Sequence, residues 1–224
     1  MGSLIAIAVV VLLIIAGVAF DNWNAQKRRE AWVAVAAKLG LEFVGDDPEL
    51  PERYAAFKSF SVGDSRTATN VIRGQASKVQ VTLGDYRYVT GSGKSSTSYR
   101  QTVCVLEYGQ LRLPAFFVRP ETFLDPLGQL IGGQDFDFDD DPEFSRGFVL
   151  QGKNEARVRE LFDRPARAWF VGHRGESLRV EGLDSALVVL CPRSLEPHEA
   201  SRLLDVALDL TTMWAGRGQA RPSV

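Results

Sequence analysis

The residues able to do chemistry fall into a few short groups. Gly93-Lys94-Ser95 has the ending of a phosphate-binding loop. That motif needs a glycine five residues before its second one, and Tyr88 stands there. The segment also joins two expected strands, so no helix N-terminus supplies aligned amides to a phosphate. It reads instead as an exposed hairpin tip, and Tyr88, Ser92, Lys94, Ser95 and Tyr99 form a candidate partner-contact loop. Asp135, Asp137 and Asp139 have oxygen-rich spacing that suits calcium, and they are the candidate metal ligands. The calcium-loop pattern fails further on, because Asp140 replaces the turn glycine and Arg146 the bidentate glutamate. Phe136 and Phe138 alternate with the acids, the pattern of a segment with one buried and one solvated face.

Catalytic material is sparse. The two histidines, His173 and His198, and the two cysteines, Cys104 and Cys191, show none of the spacings of zinc, redox or nucleophile motifs. Both cysteines sit in apolar runs and read as buried thiols. Glu107, Glu121, Glu143 and Glu181 are carboxylates that nothing in the sequence brings together. The expectation is therefore a protein without catalytic residues and without a cofactor.

The elements that would position these residues begin with an anchor. From Leu4 to Phe20 there is no charged, strongly polar or proline residue. Seventeen residues at the helical rise span about 25 Å, the short end of a membrane-crossing helix. Trp23 then stands where an interfacial aromatic belongs, and Lys27, Arg28 and Arg29 form a basic cluster. Only the terminal amine is positive before the run, so the body is expected on the cytoplasmic side of a cell's inner (plasma) membrane. A cleaved signal peptide is the rival, with Gly17-Val18-Ala19 as its cleavage site; the missing basic n-region and the length of the run argue against it.

Three regions follow: an anchor and its flank over 1–24, a soluble domain over 25–214, and a frayed tail over 215–224. Helical spacing of Trp32, Val35, Ala36 and Leu39 predicts a helix over Ala25–Leu39. Strands are expected at Leu41–Val44, Thr67–Arg73, Lys78–Val89, Tyr99–Tyr108, Leu113–Arg119, Phe148–Gln151, Ser177–Glu181 and Ala186–Cys191. A short helical or irregular stretch is expected over Phe123–Ile131. Asn154 and Asp163 are N-caps, and Glu196–Trp214 is an amphipathic helix. Strands and helices do not alternate regularly. The fold class is thus α+β: an N-terminal transmembrane helix followed by a mainly antiparallel sheet domain with flanking helices.

Composition narrows the partners. Net charge is −2 over 224 residues, which excludes the field that nucleic-acid binding needs. Charge is uneven, however. Residues 121–143 hold eight acids and no base, whereas 153–179 hold seven bases against four acids. Either the two segments neutralise each other, or the second faces anionic lipid.

Asp85-Tyr86-Arg87-Tyr88-Val89-Thr90, Pro120-Glu121, Gln134-Asp135-Phe136-Asp137-Phe138, Pro142-Glu143-Phe144-Ser145 and Phe148-Val149-Leu150-Gln151-Gly152 follow the leading apolar helix in that order. The order resembles a group of single-pass, membrane-anchored bacterial proteins of unknown function, over about residues 30–210. The resemblance implies a bacterial source and one membrane pass, and it brings no activity. The expected role is a non-catalytic domain at the cytoplasmic face that binds a protein partner or organises an assembly. A lipid- or small-ligand-binding module is the alternative, and an enzyme stands last.

Overall fold

The computed structural model describes residues 2–121 and 135–215. The expected helical or irregular stretch over Phe123–Ile131 and almost all of the expected tail lie outside the described residues. The chain is α+β, with a long N-terminal helix and one eight-stranded antiparallel sheet. Helix α1 runs unbroken from Gly2 to Leu39, so the apolar stretch and the expected helix over Ala25–Leu39 are one element. It ends in a hydrogen-bonded reversal: Leu41 N–H donates to Ala36 O at 2.9 Å, and Gly40 takes φ +67°, a conformation that only glycine adopts without strain.

The strands are β1 (Glu42–Gly45), β2 (Asp64–Ala76), β3 (Val79–Thr90), β4 (Thr97–Glu107), β5 (Leu113–Pro120), β6 (Phe148–Gly152), β7 (Arg179–Asp184) and β8 (Ala186–Cys191). Their order across the sheet is β1-β2-β3-β4-β8-β7-β5-β6. Short turns fix the hairpins. Ser77 and Asp184 take positive φ between β2 and β3 and between β7 and β8. The tip between β3 and β4 is one 3-10 turn at Gly93–Ser95.

Both faces of the central strands are buried. Cys104 and Leu106 of β4 point to one face, Val103 and Val105 to the other. The larger face is covered by α1, by α4 (Pro142–Gly147), α5 (Glu155–Leu161) and α6 (Arg164–Gly172), and by α7 (Ala200–Ala215). The smaller face is covered by α2 (Leu50–Arg53) and α3 (Lys58–Ser61), which bring Leu50, Tyr54, Phe57 and Phe60 onto Tyr86 and Tyr88. Asn154 and Asp163 accept from Arg157 N–H and Ala166 N–H, as N-caps should. Asp141 caps α4 in the same way, a helix that the acidic composition of this stretch concealed.

Beneath α5 and α7 the core is aromatic. Phe116 packs edge-on to Phe162 at 5.1 Å and to Trp214 at 5.4 Å. Phe116 lies over Gly182, its partner on β7. A Cβ at position 182 would stand 2.1 Å from Phe116 Cε1, so the ring occupies the place of a side chain. In thermal unfolding of the full-length protein, Phe116→Ala is expected to cost about 3–5 kcal/mol and Gly182→Ala about 1–3 kcal/mol. The double substitution should cost less than the sum, because removing the ring makes room for the methyl. Additive costs would show that the two positions do not touch.

Candidate functional site

Asp85 continues the alternation of Val79, Val81 and Leu83 on β3 and so points to the same face, beneath α1. A carboxylate there must be paired. Arg28 meets it with two bonds, Nε to Oδ2 at 2.8 Å and a terminal nitrogen to Oδ1 at 2.6 Å. Trp32, one helical turn further along α1, donates its indole N–H to Oδ2 at 3.1 Å. Asn70 donates to the same oxygen at 2.9 Å from an irregularity in β2, where it takes φ +52°. Arg28 also donates to the backbone oxygen of Leu195 at 2.8 Å, just before α7. One carboxylate thereby ties α1 to β2 and β3, and its arginine ties α1 to the approach to α7.

This cluster re-places one of the expected flank residues. Arg28 spends its guanidinium on Asp85 and is half-buried. Trp23 is exposed, and Lys27 lies over its ring at 3.8 Å. Arg29 lies over Phe43 at 4.8 Å. A groove of about 960 Å³ separates residues 21–29 of α1 from the sheet, with Asn70, Asp85, Arg87 and Arg100 on its sheet side.

The candidate contact loop divides. Ser92, Lys94 and Ser95 are exposed at the tip. Tyr88 is buried, and Tyr99 stacks on it at 5.1 Å, so Tyr88 is a core residue and not a contact residue. Strand alternation turns Tyr86 and Tyr88 toward α3, a direction that the polar neighbours of the loop hid. The metal candidates also separate. Asp135 accepts from Gln151 Nε2 at 2.7 Å, and Arg159 donates to the backbone oxygen of Asp137 at 2.7 Å. Among the described residues no group of three His, Cys, Asp or Glu side chains could hold a metal. Phe136 and Phe138 are buried, as their alternation required.

Part of the basic segment is spent inside the fold. Arg167 pairs with Asp140 and Asp141 at 2.7 and 2.9 Å, and Arg159 pairs with Glu155. Arg179 is buried, and burial pulls its guanidinium down to about 10. Arg167 thus ties the basic segment to the end of the acidic one, while Lys153, Arg157, Arg164 and Arg174 are exposed.

Two further polar features escaped the sequence. Glu181 is buried on the smaller face and accepts from the backbone N–H groups of Lys58 and Ser59, each at 2.7 Å, and from the Ser59 hydroxyl. Burial pushes its carboxyl up, against the pull of those donors. A cleft of about 730 Å³ lies between α6, β8 and α7, lined by His173, Glu176, Cys191, Arg193 and Arg202. Its charges are paired across it, Arg202 with Glu176 at 2.7 Å and Arg193 with Glu199 at 3.4 Å. His173 stacks on Trp169 at 3.9 Å. Burial pushes the Cys191 thiol up, the opposite of what an attacking thiolate needs.

Together these observations define an α+β protein whose sheet grips the continuation of an apolar N-terminal helix. No protein-family model matches the chain, and no curated protein matches it. Among solved structures it is similar to the crystal structure of the mycobacterial trehalose monomycolate transport factor A, TtfA, at 17% identity and a TM-score of 0.53. The likeness covers 88% of this chain and 96% of that one. At that identity it shows a shared fold.

Removing one side of the Asp85 cluster should leave the other side's polar groups unpaired. Asp85→Ala and Arg28→Ala are each expected to lower stability by about 1–3 kcal/mol, a partly exposed pair costing less than a fully buried one. A double-mutant cycle in detergent-solubilised full-length protein should give a coupling of about 1–2 kcal/mol. Zero coupling would remove the pair as a structural link.

Proposed function

We propose that the protein is a single-pass membrane protein whose α+β domain binds a protein partner, or organises an assembly, without catalysing a reaction. In this reading Leu4–Phe20 crosses the inner (plasma) membrane and the domain faces the cytoplasm. One observation carries it: α1 is a single helix with two environments. It is long and apolar enough to cross a membrane, and Ile7, Leu12, Leu13 and Phe20 are exposed along its first half. Trp32, Val35 and Ala36 of its second half are buried in the domain. An apolar helix left bare in this way needs a lipid surround, and a helix so gripped holds the domain at a set height and angle over it.

Lys27 and Arg29 support the cytoplasmic side, since basic residues next to a span favour it. The exposed tip at Ser92, Lys94 and Ser95 is the proposed contact for a protein partner. A solved structure similar in fold belongs to a protein named a transport factor, which is in keeping with an accessory role at a membrane.

A fluorescent reporter active only in the cytoplasm, fused after Val224, should be active, and a phosphatase active only outside should be silent. The reverse pattern overturns the orientation. A photoreactive residue at position 94 should give one discrete polypeptide adduct in intact membranes. Irradiation that yields no polypeptide adduct overturns the tip as the contact.

A further inference from the structure

We propose that the groove between the membrane exit of α1 and the β3–β4 hairpin is a headgroup site for an anionic phospholipid, with the lipid phosphate seated between Arg87 and Arg100. The proposal rests on the membrane placement of Leu4–Phe20 given above.

The paths of the two elements set the depth of the groove. Leu41 lies against Gly74, whose strand partner is Val81. Further back along α1, Trp32 and Arg28 bind Asp85. Further back again, Asp21 to Ala25 share the groove with Arg87 and Arg100. As the helix retreats toward the membrane, β3 therefore advances beside it. Phe20 ends the apolar stretch, and Asp21 to Ala25 follow it by about 2–8 Å at the helical rise. The headgroup layer on each side of a bilayer is about 5–8 Å thick. The groove opens at headgroup depth.

Charge selects the occupant. Arg87 and Arg100 are directly opposed on β3 and β4, on the face that carries Asp85. Opposed side chains start from Cβ atoms about 5 Å apart, where like charges repel. Both arginines are exposed, and neither has a carboxylate partner among the described residues; Arg87 donates to the Ser98 hydroxyl at 2.8 Å. Asp85 is already taken by Arg28, Trp32 and Asn70. Asp21 and Asp46 also line the groove and limit its positive potential. A phosphate between two guanidinium groups removes their repulsion and matches their forked donors. The bilayer around α1 presents phosphates at this depth without any partner being recruited.

The test uses full-length protein purified from nanodiscs of phosphatidylcholine and phosphatidylglycerol, with the retained lipids counted by native mass spectrometry. The wild type should retain phosphatidylglycerol in preference. Each of Arg87→Gln and Arg100→Gln should cut that preference about fivefold, the worth of one basic side chain at an anionic surface. The double substitution should abolish it. Lys153→Gln/Arg164→Gln, in the basic segment of the sequence, should leave it unchanged. Equal retention by the wild type and the Arg87→Gln/Arg100→Gln protein overturns the proposal, provided both melt at the same temperature. If they do not, a photoreactive residue at position 194, which lines the groove beside the two arginines, decides in native membranes: a lipid-sized mass shift supports the site, and its absence or a polypeptide adduct overturns it. A full-length protein that fails to float with membranes defeats the functional reading itself. One that floats but shows no phosphatidylglycerol preference defeats the lipid site alone.

Discussion

A long helix that enters a domain without a break transmits the position of its free half to that domain only if something holds it in register. Here that hold is the Asp85 carboxylate. It accepts from Arg28 and Trp32 on α1 and from Asn70 on β2, and Arg28 in turn reaches Leu195. Apolar packing of Trp32, Val35 and Ala36 supplies most of the adhesion, as burial of large side chains generally does. Apolar packing is non-directional, however. The forked geometry of an arginine on a carboxylate is not, and it fixes the rotation and height of α1 on the sheet.

The rest of the architecture follows from that docking. The larger sheet face must hold α1 and α7 side by side, and the Arg28 bond to Leu195 lies between them. The smaller face is closed by the short helices α2 and α3, whose approach is fixed by Glu181 receiving the Lys58 and Ser59 amides. At the far end of the sheet, Phe116 over Gly182 lets α5 and α7 close over the edge strands. The domain is thus held from both sides, and only one end of it adjoins the apolar half of α1.

Much of the fold was legible because it rests on periodicity. The alternation of Val79, Val81 and Leu83 named the face of β3 that meets the helix, and the spacing of Trp32, Val35 and Ala36 named the face of α1 that meets the sheet. Asn154 and Asp163 announced their helices by type and place. The polar clusters were not legible, since each joins residues far apart in the chain. Asp85 lies 57 positions from Arg28, and Glu181 lies 122 from Ser59. A signal did exist for Asp85: it is a carboxylate where the alternation calls for an apolar side chain, opposite a helix whose own apolar face carries an arginine. Tyr88 misled for the converse reason. Its place beside the polar tip suggested a contact residue, while its place in the strand put it in the core.

The central claim is that α1 and the sheet form one body through the Asp85 cluster. Pulsed electron–electron distance measurement tests it most directly, with spin labels at Val18→Cys and Lys94→Cys in full-length protein in nanodiscs. The native Cys104 and Cys191 are buried and stay unlabelled. A single narrow distance distribution is predicted, broadening when Asp85→Ala is added. A distribution equally broad with and without Asp85 would contradict the account.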